Sequence, residues 1–189
     1  ERSKRMVLKR RGSSLDTISF GDAAVDFVTW LSRYPPRGGD VEISRIERQP
    51  GGSAANFSVA VARLGMSSGF VGKTGCDEAG QFLRDDFARE DVDITHLRKG
   101  AGPTGTVIAL VEKNGRRTML SFRGVNVTLA PNEIPRDYIA DSKWLHVSGY
   151  SLTHKPQSDA ALIAIKEAKK AGVRVSLDPS PHIHLAGRG

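Results

Sequence analysis

The clearest chemical potential in this chain lies in Gln49–Gly65, "QPGGSAANFSVAVARLG", where a Gly-Gly pair opens an apolar run carrying one amide, Asn56. Glycines let a backbone come close to a ligand, and a helix N-terminus aims unpaired N–H groups at whatever sits there. Such a start suits an anion or a polyhydroxylated molecule, and a packing turn is the plain alternative. An amide buried in an apolar helix costs about 1–3 kcal/mol unless it is hydrogen-bonded. A ligand rich in hydroxyls would offer Asn56 both donors and acceptors.

Two other glycine-rich stretches invite a phosphate reading and fail it. "SSGFVGKTG" comes near the loop pattern G-x-x-x-x-G-K-[ST], but Ser67 stands where the first glycine belongs, and the apolar residues before Gly72 read as strand. "GAGPTG", Gly100 to Gly105, contains a proline with no donor and leads into a strand instead of a helix, so a turn is expected. "PHIHL" offers His182 and His184 without nearby carboxylates, too few ligands for a metal site, and an exposed loop is expected there.

The elements that must position these residues follow from hydrophobic periodicity. "LDTISFGD" reads as a buried first strand ending in Gly-Asp, with "VDFVTWL" and a loop after it; "DVEISRIERQ" reads as a peripheral strand wet on one face. Ala54–Leu64 has eight apolar residues in eleven and Gly65 as a stop, which predicts a helix buried nearly all round. Glu78 to Glu90 places Ala79, Phe82, Leu83 and Phe87 on one helical face. "TGTVIALVEKNGRRTMLSFRG" predicts a hairpin turning at Lys113-Asn114-Gly115-Arg116. "KWLHVSG", a helix over about Ser158–Ala171, and "VRVSLDP" form strand, helix and strand within 36 residues, a βαβ unit with parallel strands. Together these predict a layered α/β domain with a small sheet projecting from it.

Composition narrows the classes further. At 189 residues, 39% hydrophobic and 26% charged, the chain is globular in character, with no apolar run near the length of a bilayer span. A single cysteine, Cys76, excludes an internal disulfide and agrees with a reducing compartment, so a cytoplasmic protein is expected and the sequons at Asn56 and Asn126 carry no weight. Of the net charge of +7, the segment Glu1–Leu15 supplies +5, leaving +2 for the rest. The charge therefore describes a basic tail, a solvated segment or a polyanion-binding arm, and nucleic acid is not the expected partner. The chain does not begin with Met, which fits a piece of a longer protein.

The series "GGSAANFSVAVARLGMSSGFVGKTGCDEAG" resembles the N-terminal signature of the ribokinase-like sugar kinases, the PfkB family, in its G-G-x-x-x-N core, its A-x-A-x-x-x-L-G and its G-x-x-G-x-D-x-x-G at Gly72–Gly80. The likeness continues through "GDAAVD", "PPRGGD", "TGTVIALV", "GVN" and "VSLDPSP" and covers nearly everything from Leu15 onward. It implies a ribokinase-like α/β/α domain over 15–189, with lid strands at about 40–49 and 104–123 and residues 1–14 as the tail. It also implies ATP and Mg²⁺ as cofactors, a small sugar or nucleoside as partner, and lid strands that can pair across a homodimer.

Residue by residue, the resemblance assigns acceptor binding to Asp26, at the end of "AAVD", and to Gly51, Gly52 and Asn56. Ala24 and Ser53 stand where ribokinases carry Asn and Lys, which argues against ribose itself. Arg123 resembles an arginine of members that act on acidic sugars, with a solvated strand-end arginine as the alternative reading. Asp178 resembles a residue near the nucleotide phosphates and metal. The family's catalytic aspartate sits in a "GAGD" loop that these residues do not contain, so it is expected beyond Gly189 in the full protein. The expected activity is phosphorylation of a hydroxyl of a sugar, sugar acid or nucleoside; the alternative is a non-catalytic ribokinase-like fragment or pseudokinase that acts as an interaction module.

Overall fold

The four residues of β1, Thr17–Phe20, are all buried, and they form the middle strand of a five-stranded sheet in the computed structural model, which describes residues 14–179. The chain then leaves this sheet. β2, Ala24–Leu31, and β3, Ile43–Gly51, pair antiparallel, and β3 runs into α1, Ser53–Arg63. β4, Ser68–Gly75, α2, Glu78–Arg89, and β5, Leu97–Gly100, return to the central sheet. β6, Gly105–Glu112, and β7, Arg117–Phe122, depart again as a hairpin. α3, Arg136–Ala140, β8, Trp144–Ser148, α4, Gln157–Lys170, and β9, Arg174–Asp178, complete the described chain.

The central sheet has the order β5-β4-β1-β8-β9 with every pair parallel. Parallel strands need cover on both faces, and β4 is buried at all eight positions. One face packs α4, whose Ala160, Ala161, Ala164 and Ala168 let the helix approach Ile18, Phe20, Leu145 and Val147 closely. The other face packs α1 and α2 through Ala54, Ala55, Leu83 and Phe87 against Phe70. The βαβ unit read from "KWLHVSG" and "VRVSLDP" is β8-α4-β9, with Trp144 opposite Arg174. The second sheet has the order β3-β2-β6-β7, in which β2 is parallel to β6 and the Thr29 hydroxyl donates to the Ala109 carbonyl 80 residues away.

Two expectations change and a third holds. "VDFVTWL" is no loop lead-in: it belongs to β2, an inner strand of the second sheet that pairs with β3 and β6 along nearly its whole length. α1 is buried on one face only, through Ala54, Ala55, Ser58 and Val61; its small residues suit a helix close to a sheet and do not require burial all round. "GFVGKT" is strand, with Lys73 paired to Glu133 at 2.8 Å, so no phosphate loop forms there. The basic tail up to residue 13, and His182 and His184, lie outside the described residues.

Candidate functional site

Open parallel sheets collect ligand groups beyond the carboxyl ends of their strands. Here that edge carries Asp22 after β1, Ser148 at the end of β8 and Asp178 at the end of β9, with the start of α1 beside them. β3 delivers its last residue, Gly51, opposite Ala24, and two pairs along Asp26 stands opposite Gln49 with its carboxylate beside Gly51. A Cβ on Gly51 would overlap the Asp26 carboxylate, so glycine is required for this approach. Gly52 has φ 107°, and a Cβ there would strike the Asp22 carbonyl. The chain turns from strand to helix on these two residues because a side chain at either would collide.

Gly52 caps α1 without any side-chain hydrogen bond, and the first turn holds no acidic residue. The positive end of the helix is therefore not offset by a side chain of its own first turn, and the carboxylate that stands at it is Asp178, from β9. Asp26 faces the same region. Its Oδ1 is buried and has no hydrogen-bond partner among the described residues. Burial raises the carboxyl above its ordinary value, opposed by the charge of Arg117. A half-buried carboxylate with an unsatisfied oxygen is an arrangement that folding alone disfavours.

Asn56 corrects the sequence reading. It lies one turn into α1, but its side chain is exposed, so the desolvation argument for a ligand does not apply to it. What remains is an amide open to solvent one turn beyond Gly52. Ser53 is the better connected residue: its Oγ donates to Asp178 Oδ2 at 2.6 Å, which ties the start of α1 to the end of β9.

Arg123 is not a solvated strand-end residue. Nε and Nη2 form a two-pronged pair with Asp22 at 2.6 and 2.9 Å, Nη2 also donates to Gln157 Oε1 at 2.6 Å, and Nη1 meets Thr153 Oγ1 at 2.8 Å and His154 Nδ1 at 3.1 Å. Four of its donations go to oxygen acceptors of the protein itself, so in this arrangement the guanidinium is held by Asp22, Gln157 and Thr153. Sequence reasoning missed both main partners. Asp22 was visible as the polar residue closing the first strand, whereas Gln157 reads as an ordinary helix-start residue and is fully buried. Asn126 was seen only as part of "GVN"; it holds Ala23 by both N–H and C=O at 3.1 and 2.9 Å.

The described residues hold no group of three or more His, Cys, Asp or Glu that could surround a metal ion. Among the described residues no helix is long and apolar enough to cross a membrane.

A parallel sheet covered on both faces, a second four-stranded sheet and a glycine-started helix at the strand ends together define a ribokinase-like α/β fold. The chain belongs to the pfkB family of carbohydrate kinases, whose pattern it matches over residues 15–186. It is 36% identical over 163 residues to a fructokinase of Klebsiella pneumoniae, covering 85% of this chain and 49% of that one. It is 37% identical over 134 residues to the aminoimidazole riboside kinase of Salmonella typhimurium, covering 68% of this chain and 41% of that one. The crystal structure of a fructokinase from Xylella fastidiosa with bound ATP superposes with a TM-score of 0.73 at 27% identity, over 87% of this chain and 51% of the other. The chain thus spans about half the length of the curated relatives it matches.

Proposed function

We propose that this chain forms the acceptor-binding half of a kinase that transfers a phosphoryl group from ATP, with Mg²⁺, to a hydroxyl of a small sugar, sugar acid or nucleoside. The observation that carries this is the Asp26 carboxylate, half-buried and unsatisfied, against the Gly51-Gly52 turn into α1. The names of the similar proteins, a fructokinase and an aminoimidazole riboside kinase, support the acceptor class.

On this reading Asp26 accepts hydrogen bonds from acceptor hydroxyls, and the exposed Asn56 amide supplies a donor and an acceptor at the same mouth. Gly51 and Gly52 let the sugar approach the backbone. Asp178 stands on the nucleotide side, held by Ser53, where a carboxylate can meet phosphate-bound Mg²⁺. ATP supplies the transferred group. The second sheet acts as the lid that carries Asp26 and keeps water from the hydroxyl. Positioning of this kind is where most catalysis of phosphoryl transfer arises.

The exposed Ile46, Ile108 and Leu120, which the register puts on one face of the second sheet, support pairing of lids across a homodimer. The single cysteine supports a cytoplasmic location.

The test is a panel of ketoses, aldonic acids and nucleosides incubated with ATP and Mg²⁺, read as ADP release, alongside calorimetric titration of the same acceptors. Acceptor-dependent ADP release supports the kinase. Acceptor binding without ADP release is the outcome expected of a non-catalytic binding module, and no binding at all overturns the acceptor site.

A further inference from the structure

The second sheet joins the body along one row of small residues. Ala24 pairs with Gly51 on one side and Gly105 on the other, and β7 leaves the sheet at Phe122, opposite Thr106. Side chains that could brace the sheet are missing from this row, so its angle against the body depends on polar contacts just outside it.

Four contacts do this. Thr104, before β6, receives the Asp77 carboxylate on its backbone N–H at 2.8 Å and on its hydroxyl. Asn126 grips Ala23 and also the Arg123 carbonyl. Arg48 on β3 meets Glu78 at 2.7 Å and lies over the Phe82 ring, both on α2. Arg123, directly after β7, reaches Asp22 before β2 and the start of α4 at the same time.

The Arg123 contact differs from the others in kind. Gln157 closes a ring of three: its Nε2 donates to Asp22 Oδ1 at 2.6 Å while its Oε1 accepts from Arg123 Nη2 at 2.6 Å. The side chains of Arg123 and Asp22 are only 16% and 15% exposed, and Gln157 is wholly buried. The ring links the entry to β2 and the exit from β7 to the α4 layer on the far face of the central sheet. A two-pronged guanidinium pair fixes orientation as well as distance.

We infer that Arg123 is a positioning residue whose fork, closed by Asp22 and Gln157, sets the angle of the second sheet, and with it the place of Asp26, over the strand ends. The kinetic consequence rests on the acceptor-site reading above; the geometric one does not. Replacing the fork loosens the sheet while leaving both sheets folded, and because Asp26 is displaced for every acceptor, neutral and acidic acceptors suffer alike.

The experiment uses the protein with Cys76→Ser and spin labels on Asn114→Cys, in the β6–β7 turn, and Lys170→Cys, at the end of α4. Pulsed dipolar spectroscopy is then compared for Arg123, Arg123→Lys, Arg123→Met and Gln157→Met. A single narrow distance in the parent that broadens or shifts in Arg123→Met and Gln157→Met, with native circular dichroism, is expected. Arg123→Lys keeps the charge without the fork, should fall between, and stands in if the Met variant does not fold. With turnover in the parent, acceptor KM should rise about tenfold to a hundredfold for fructose and for an aldonic acid equally. Unchanged distance distributions overturn the proposal, as does a KM rise confined to the acidic acceptor, which would make Arg123 a substrate ligand. Absence of turnover in the parent tells against the kinase reading alone, and the distances still decide this one.

Discussion

The hydroxyl of Ser53, first residue of α1, donates to Asp178, last residue of β9, across 125 positions of sequence. This bond fixes the helix that starts at the Gly51-Gly52 turn to the strand end that we propose faces the nucleotide. Two substrates that must meet in line need such a shared frame. Ser53→Ala is expected to lower stability by about 1 kcal/mol. In a double-mutant cycle with Asp178→Ala, the two losses should fall short of additivity by at least ~0.5 kcal/mol in denaturant midpoints; additive losses would show that the bond does not form in solution.

On the proposed acceptor-site reading, Asp26→Ala and Asn56→Ala should each raise acceptor KM about tenfold, equivalent to ~1.4 kcal/mol of binding. Steady-state kinetics with the preferred acceptor checks this, and unchanged constants in both variants would remove these residues from the site.

Asp26 also makes a stability prediction with a definite sign. Its folded carboxyl titrates above the ordinary value of 3.8 because burial disfavours the charge. The native state therefore holds the proton more tightly, and stability falls as pH rises from 3.8 through the raised value. Asp26→Asn should thus be more stable than the parent at neutral pH. The difference should vanish below the ordinary carboxylate value. Thermal melts at several pH values check it, and a variant less stable than the parent at neutral pH would contradict it.

His146 works in the opposite direction. The ring stacks on Phe57 at 3.9 Å between centroids and 12° between planes, with Nδ1 2.9 Å from Ser176 Oγ. Burial lowers its pKa below 6.5, opposed by the charge of Asp178. Here the unfolded chain binds the extra proton, so stability is lost as pH falls from 6.5 through the lowered value. Replacement by Gln should flatten this slope, which melts between about pH 5 and 7 will read.

Gly52→Ala should destabilise the protein by at least about 1 kcal/mol, since φ 107° strains any L side chain and the new Cβ meets the Asp22 carbonyl. Gly65→Ala is a useful comparison: that glycine also has positive φ, at 86°, but nothing lies within 4 Å of an added Cβ. A larger loss at Gly52 than at Gly65 isolates the steric part.

Much of this was legible from residue order. The apolar run of β1, the face of α2, the Asn-Gly hairpin and the β8-α4-β9 unit all follow from local periodicity and turn chemistry, and they stand as read. β2 was under-read because its partners, Gln49 and Val107 at Asp26, are remote, and a run such as "VDFVTWL" acquires its role only beside them. Gly51 and Gly52 were visible as glycines, but their reasons, the Asp26 carboxylate and the Asp22 carbonyl, are tertiary. Asn56 departs from its sequence reading because apolar composition does not require burial: alanines let one helical face pack while the other stays wet. The Arg123 ring was illegible because it joins positions 22, 123 and 157, and no local pattern marks a glutamine for burial.

The two sheets are threaded through one another in sequence: the central one takes β1, β4, β5, β8 and β9, and the second takes β2, β3, β6 and β7. No single cut in the chain separates them. The second sheet is consequently not an autonomous folding unit, since β6 can join β2 only after β4 and β5 have been made. During synthesis the β2–β3 hairpin must wait for a partner emerging more than fifty residues later. Such long-range pairing slows folding and exposes strand edges meanwhile, so the nascent chain is most vulnerable to aggregation in the interval before Gly105 appears.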